Sequence, residues 1–449
     1  MIVPIVALTK LIAFLIRTGR IGHGFTWPGE IALRLDGRFI RAIMEKNPGL
    51  VTVVIVGTNG KTTSAKIARH VLLKNGYRVI GNETGANLKN GVASCLIKNA
   101  SIFGTIAADA AIFEVDENVL PLLLSDFHPN AIMVLNLFRD QLDRYGEVNS
   151  IALKWRESLG TLTRKTTLIM NGNDPQIYHI GRSLDNASVS FFGLEKKAMK
   201  KRAVPHEADS LYCPECAERL SYDAIAYSHI GDFFCPACGL RPSGIVDVSE
   251  TIKSPLLGLF NRYNTNAVAL TLTTVFGIPL EKIKEDIADF GAAFGRQEII
   301  DYRGRKIIIQ LSKNPTGFNQ SIEVLEEFDV PHRRVLVLLN DRIPDGRDVS
   351  WIWDVDFEHL MELADTVIVS GDRAYDMGIR LRYASRDHGG SEGKGTPQGV
   401  TVIPELGGAI ERAVEMTPRG ELLFILPTYS AMLEARNILT GDEFRQKTQ

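Results

Sequence analysis

A run of β-branched residues, Val53-Val54-Ile55-Val56, stops at Gly57 and is followed by Thr58-Asn59-Gly60-Lys61-Thr62-Thr63. Such a strand-to-helix turn lets backbone N–H groups face an anion. Lys61 is placed to reach the β- and γ-phosphates of a nucleotide, and Thr62 to supply a hydroxyl to Mg²⁺. The spacing is shorter than the standard phosphate loop, which wants a glycine where this chain has Ile55. A plain tight turn, however, would leave Lys-Thr-Thr without a purpose. A second set of candidates is Glu114-Val115-Asp116-Glu117, at the end of the apolar run Ala110–Phe113. A carboxylate at the end of a buried strand near a phosphate loop suits Mg²⁺. Glu114 is the first candidate, with Asp116 or Glu117 as the alternative. The third set is Cys213-Pro214-Glu215-Cys216 and Cys235-Pro236-Ala237-Cys238, with 18 residues between the pairs. That spacing matches a zinc ribbon, and four thiolates leave no open position, so a Zn²⁺ held there is structural. Tyr222, Tyr227, Phe233 and Phe234 lie between the pairs and can cover the knuckles.

Around these groups, the 449 residues are 45% hydrophobic and 23% charged, with a net charge of -2. This is an ordinary globular composition, and its length suggests two to four domains. Nothing in the charge balance or between the cysteine pairs points to a nucleic-acid partner. Paired cysteines at metal spacing suit a reducing, cytoplasmic setting. The fifth, Cys95, sits in a helical stretch without a nucleophile turn and reads as a buried structural thiol. The first 16 residues are strongly apolar but broken by Thr9-Lys10 and followed by Arg17 and Arg20. They are too short to span a bilayer and lack the flanks of a signal peptide. Two readings stay open: a helix packed on the body, or a peripheral contact with the inner face of the cell membrane.

Periodicity predicts a helix over residues 65–73 behind the phosphate loop and a short helix over 30–45 ahead of it. Strands are expected at 78–80, 110–113, 131–135 and 167–170, alternating with helices. That rhythm describes a parallel α/β sheet with ligands at the strand C-terminal edge. The Gly/Asn-rich loop from Gly81 to Asn87 either lines that edge or is plain surface. Gly258-Leu259-Phe260-Asn261-Arg262-Tyr263-Asn264 opens an apolar helix, and its asparagines suggest a ligand surface. Arg296 then offers a cation near a phosphate. Further strands at 306–310, 334–339, 366–369, 400–403 and 422–426 read as a second, Rossmann-like α/β domain. Its loop from Asn340 to Asp348, followed by Trp351 and Trp353, is either a partner surface or a site. The domains expected are an apolar helical segment (1–48), a central domain (49–298) with the ribbon inserted at about 208–242, and a C-terminal domain (299–449).

Taken together, several stretches resemble the Mur ligase family. They are Gly57-Thr58-Asn59-Gly60-Lys61-Thr62, Asp140-x-Leu142-Asp143-x-x-Gly146, Asn171-Gly172-Asn173-Asp174, Gly258-x-Phe260-Asn261-x-x-Asn264-x-x-Ala267 and Gly295-Arg296-x-Glu298. The resemblance implies ATP and Mg²⁺, with Lys61, Thr62 and Glu114 at the phosphates and Asn261, Asn264 and Arg296 holding the nucleotide. Three features set the chain apart. It leaves no room for the usual UDP-binding domain, it carries the four-cysteine insertion, and it shows Asn314-Pro315-x-Gly317-x-Asn319 and Asp345-Gly346-Arg347-Asp348-x-Ser350-Trp351. These features resemble an amidating branch of the family, in which a Mur-ligase-like subunit forms a heterodimer with a GatD-like glutamine amidotransferase. The activity this implies is a carbon–nitrogen ligase. It would amidate the D-glutamate α-carboxyl of the lipid II stem peptide to D-isoglutamine, through an acyl phosphate, with ammonia from the partner. Asp348 would complete the partner's Cys–His pair; without the resemblance it is a loop-stabilising carboxylate. The alternative is a stand-alone Mur or folylpolyglutamate-like ligase that adds an amino acid.

Overall fold

The computed structural model describes residues 2–18, 26–82, 85–139, 148–163, 165–201, 204–205, 208–291, 295–385 and 399–441. Val51–Val56 (β1), Val79–Ile80 (β2), Ala110–Val115 (β3), Ala131–Val134 (β4), Thr167–Asn171 (β5), Ser188–Phe192 (β6) and Ile245–Val246 (β9) form one sheet. Its order is β2-β3-β1-β4-β5-β6-β9, and every neighbouring pair is parallel. The central strands are buried along nearly their whole length, which is why they read as continuous apolar runs rather than alternating ones. β1 lies between β3 and β4, so the loop after it opens at the crevice where chain connections leave in opposite directions.

A second sheet of six strands holds Arg296–Tyr302 (β10), Arg305–Gln310 (β11), Arg334–Leu338 (β12), Thr366–Ser370 (β13), Val400–Val402 (β14) and Leu422–Pro427 (β15), in the order β10-β11-β15-β12-β13-β14. Only β10 and β11 are antiparallel within it; the other pairs are parallel. Ser221–Tyr227 (β7) and Ile230–Phe234 (β8) make a separate hairpin between the cysteine pairs.

Several sequence expectations are corrected here. The helix behind the phosphate loop begins at Lys61, not four residues later, and runs to Lys74. Glu114 lies inside β3 rather than beyond its end. The stretch expected as one helix is two, Trp27–Leu35 and Phe39–Lys46. The chain turns between them, where the Asp36 carboxylate accepts the Arg38 N–H at 2.9 Å, a local bond that competes with helix continuation. The apolar N-terminal residues do form a helix, Ile2–Thr18, packed against Trp27–Leu35, Phe39–Lys46 and Lys89–Asn99. Among the described residues, no helix is long and apolar enough to cross a membrane. Asp140, Leu142, Asp143 and Gly146, and the glycine-rich stretch at 387–398, lie outside the described residues.

Candidate active site

Gly57 and Gly60 shape the loop after β1 with φ of +142° and +92°. Both values are open to glycine and costly for other residues. The space is filled as well: a Cβ on Gly60 would lie 2.2 Å from the Asn264 Oδ1. Gly60 is the N-cap of the Lys61–Lys74 helix and brings no capping side chain. The first-turn N–H groups are thereby left for an anion in the adjoining space.

The Asn136 side chain holds this loop at both of its polar ends. Its Oδ1 accepts the Asn59 N–H at 2.8 Å and its Nδ2 donates to the Asn59 carbonyl at 2.9 Å. Thr58 Oγ1 accepts the Phe138 N–H at 3.0 Å. The loop after β4 therefore clamps the loop after β1. From the other sheet, Asn314 Nδ2 donates to Asn59 Oδ1 at 3.2 Å, while Asn314 Oδ1 caps its own helix by accepting the Gly317 N–H at 2.7 Å.

At the floor, Lys61 Nζ donates to the Gly57 carbonyl and to the Thr58 carbonyl, and lies 3.5 Å from Glu117. The Thr62 hydroxyl donates to Glu114 Oε2 at 2.6 Å and accepts from Arg296 Nη2 at 3.2 Å. Burial pushes the Glu114 pKa up, opposed by the Thr62 hydroxyl and then by the Arg296, Lys61 and Lys66 charges. Burial lowers that of Arg296, opposed by Glu114. Lys66 is pushed down to about 8, chiefly by burial and then by Arg296. The three acids are separated by geometry. Glu114 shares its carboxylate with Thr62, Glu117 faces Lys61, and Asp116 turns to its own backbone by accepting the Asn118 N–H at 3.1 Å. Of the three, Glu114 and Thr62 together present the oxygens that a hard dication needs.

These groups line a cavity of about 460 Å³ between the two sheets. Lys61, Thr62, Glu114, Asn261, Asn264 and Arg296 all border it, together with Gly317 and Tyr429 from the second sheet's side. Asn264 Nδ2 donates to Asn261 Oδ1 at 3.2 Å, so those two asparagines act as one unit. Asp348 is elsewhere. It borders a second cavity of about 410 Å³ with Arg347, Trp353, Arg373 and Ile379. The same loop touches both spaces, since Ile343 and Pro344 border the first. Asn136 and Glu117 are central to this geometry. Glu117 was an alternative candidate in the sequence; Asn136, the residue after the strand expected at 131–135, was not singled out, because nothing in its residue type distinguishes it.

The cysteines converge as their spacing requires. Their four Sγ atoms lie within 4.8 Å of one another, with Cys213–Cys238 at 3.6 Å and Cys216–Cys235 at 3.4 Å. Tetrahedral Zn–S bonds of about 2.3 Å put sulfurs about 3.8 Å apart, so the set fits. The two knuckles match: Ala217 N–H donates to the Cys213 carbonyl at 2.9 Å and Gly239 N–H to that of Cys235 at 3.0 Å. Burial pushes the Cys213 thiol up to about 12, while the Cys238 N–H brings Cys235 down to about 7. A bound dication would favour thiolate at all four. Tyr222 and Phe233 cover the knuckles as expected. Tyr227 does not; it borders the cavity between the two sheets, 5.9 Å from the Phe138 ring and 5.6 Å from Tyr263.

The hairpin tip goes further. His229 is fully buried, with its ring 4.8 Å from Phe138 and its Nε2 3.5 Å from Asp174 Oδ2. Its Nδ1 accepts the Asp209 N–H at 3.3 Å, so the ring proton sits on Nε2, toward the carboxylate. Asp174 Oδ2 also accepts the Leu137 N–H at 3.1 Å. The ribbon thus props the segment that carries Asn136 and Phe138.

Comparison with known proteins matches residues 55–272 to the Mur ligase middle domain and residues 311–432 to the MurT ligase C-terminal domain. The chain is 31% identical, over 81% of its own length and 83% of the relative's, to the lipid II isoglutaminyl synthase (glutamine-hydrolyzing) subunit MurT of Staphylococcus aureus (strain COL). The chain belongs to the MurT family. The MurT of Streptococcus pneumoniae (strain ATCC BAA-255 / R6) is 28% identical over 95% of both chains. The MurF ligase of Thermotoga maritima, solved in complex with ADP, shares the fold at a TM-score of 0.60 and 15% identity, covering 90% of this chain and 82% of that one. As a MurT-family chain, this protein is a ligase on a Mur-type α/β scaffold, with a four-cysteine ribbon able to hold a metal.

Proposed function

We propose that this chain amidates the D-glutamate α-carboxyl of the lipid II stem peptide, on the cytoplasmic side of the membrane, with ammonia from a glutamine-hydrolysing partner. The carrying observation is the cavity between the two sheets. It brings Lys61, Thr62, Glu114 and Arg296 into one space with the Gly317 end of a MurT-type C-terminal segment. A phosphoryl donor on one wall and an acceptor at the other can therefore meet. A carboxylate oxygen is a poor leaving group. Its attack on the terminal phosphorus of ATP gives an acyl phosphate and ADP; ammonia then displaces phosphate and forms the amide. Lys61 and Arg296 offset the charge that gathers on the transferred group. Thr62 and Glu114 would hold Mg²⁺, which supplies further charge neutralisation. Asn261 and Asn264 would orient the nucleotide. Asp348 would orient a histidine of the partner, and the exposed Trp353 and Ile379 that border its cavity, with Tyr383 packed on Trp353, support a protein contact there.

Purified protein with ATP, lipid II and ammonium should form the amide, seen by mass spectrometry, with ADP in step. Product that requires a free amino acid instead would favour a stand-alone ligase. Gly60→Ala is expected to weaken binding of a non-hydrolysable ATP analogue at least about tenfold by calorimetry, because it adds left-handed strain and a clash with Asn264. An unchanged affinity would show that the loop does not hold the phosphates.

The ribbon would hold about one Zn²⁺ per chain, measurable by metal analysis. Its removal by a chelator is expected to lower the thermal midpoint by several degrees. Nucleotide affinity should fall with it, because the hairpin tip supports the loop that clamps Asn59. Loss of zinc with no change in either quantity would refute the structural role.

A further inference from the structure

The helix Ile2–Thr18 holds no acidic residue. One of its faces, with Ile5, Val6 and Thr9, is buried against the body. At about 100° per residue, the exposed Val3, Leu8, Leu11, Phe14 and Leu15 all fall on the opposite face. Leu11 is 54% exposed, Phe14 58% and Leu15 55%. A surface helix ordinarily turns charge toward water, and one that is apolar on both faces belongs in a core or at a membrane.

A second apolar projection adjoins the start of this helix. Gly104 packs against Ile2 so closely that a Cβ would lie 2.9 Å from its Cγ2. The turn before that glycine carries Ile102 and Phe103, 51% and 62% exposed. Lys46 Nζ donates to the Phe103 carbonyl at 2.8 Å, which places a cation beside the aromatic. Lys10 stands at the edge of the helical stripe.

We propose that this face, the outer stripe of Ile2–Thr18 with the Ile102–Phe103 turn, rests on a bilayer surface rich in acidic lipid. The inference relies on the reading above that the acceptor is lipid-linked. At about 1.5 Å per residue the helix is about 26 Å long, shorter than the ~30 Å hydrocarbon core, so it lies in the interface rather than spanning it. An apolar stripe free of carboxylates and flanked by lysines complements acidic headgroups. Such docking would confine the cavity to the plane in which a lipid-linked acceptor diffuses and raise its encounter rate.

The test is co-sedimentation of the full chain with vesicles of phosphatidylglycerol and phosphatidylcholine, against phosphatidylcholine alone. The wild type should pellet with the acidic vesicles, less so at high salt. Leu8→Gln/Leu11→Gln should lower vesicle affinity at least tenfold, with the thermal midpoint and the rate on a soluble stem-peptide analogue unchanged. KM for vesicle-borne lipid II should rise at least tenfold in the same variant. A wild type that stays in the supernatant with both vesicle types overturns the proposal, even if lipid II in detergent is amidated normally. So does a variant that pellets as well as wild type, or one whose defect is loss of a dimer or of the glutaminase partner. A chain that pellets as expected yet amidates nothing supports the docking surface and refutes only the reaction assigned above.

Discussion

Lys61→Ala is expected to lower ammonium-driven amidation by about a thousandfold or more, the scale seen when one charge-stabilising group is removed from a phosphoryl-transfer site. In this structure Lys61 is held over its own loop by the Gly57 and Thr58 carbonyls and faces Glu117. A phosphate entering the cavity would compete for the ammonium group at little cost, because the lysine has only to exchange carbonyls for phosphate oxygens. The substitution has a second effect. The Glu117 side chain is 6% exposed, and without the lysine its charge stands close to the incoming phosphates. Breaking a buried ion pair is itself destabilising. Glu117→Gln on the Lys61→Ala background should therefore recover thermal stability without recovering turnover. Steady-state ADP and amide release, alongside thermal melting, separate the two effects. A folded Lys61→Ala protein working at the normal rate would refute the assignment of this cavity to phosphoryl transfer.

Asp348→Asn is expected to divide the activity by nitrogen source. Its Oδ1 accepts the Ser350 N–H at 2.8 Å, and that backbone bond holds the carboxyl below the usual carboxylate range. The group is therefore ionised throughout the neutral range, as a residue that steadies a partner's imidazolium must be. Asparagine keeps the oxygen that accepts from Ser350, so the loop should survive while the charge is lost. With the glutaminase partner present, glutamine-driven amidation should fall by roughly 10⁴, the size of effect known when a triad aspartate is neutralised. Ammonium-driven amidation should stay within about twofold, because Asp348 does not border the Lys61 cavity. Equal loss of both arms would make Asp348 a structural residue, and survival of both would dismiss it.

Much of this scaffold was legible in the sequence because parallel strands buried on both faces write themselves as apolar runs. Val53–Val56, Ala131–Leu135 and Leu422–Leu426 were each placed within a residue or two of β1, β4 and β15. The glycine loop and the cysteine pairs were equally plain, since few residue types satisfy those geometries. The weak points have physical causes as well. β9 is a two-residue edge strand, and β6 beside it is only partly buried, so neither carries a strong apolar signature. The Lys61–Lys74 helix starts earlier than its apolar spacing suggests because its first turn faces a cavity, not a core. The pairing of Asn59 with Asn136 and Asn314 joins positions 77 and 255 residues apart, a separation that local pattern cannot report. His229 escaped notice because a single histidine in a hairpin has no periodic context.

That histidine carries an implication for descent. With His229 and Tyr227 wedged beside Phe138 and Asp174, the ribbon is not an ornament that a lineage could shed in one step. A descendant lacking it would inherit a hole under the strand-edge loop and an acid stripped of its neighbour, and bulkier apolar residues would have to arrive there first. Length changes among its kin should therefore gather at the sulfur end of the insertion and spare the tip.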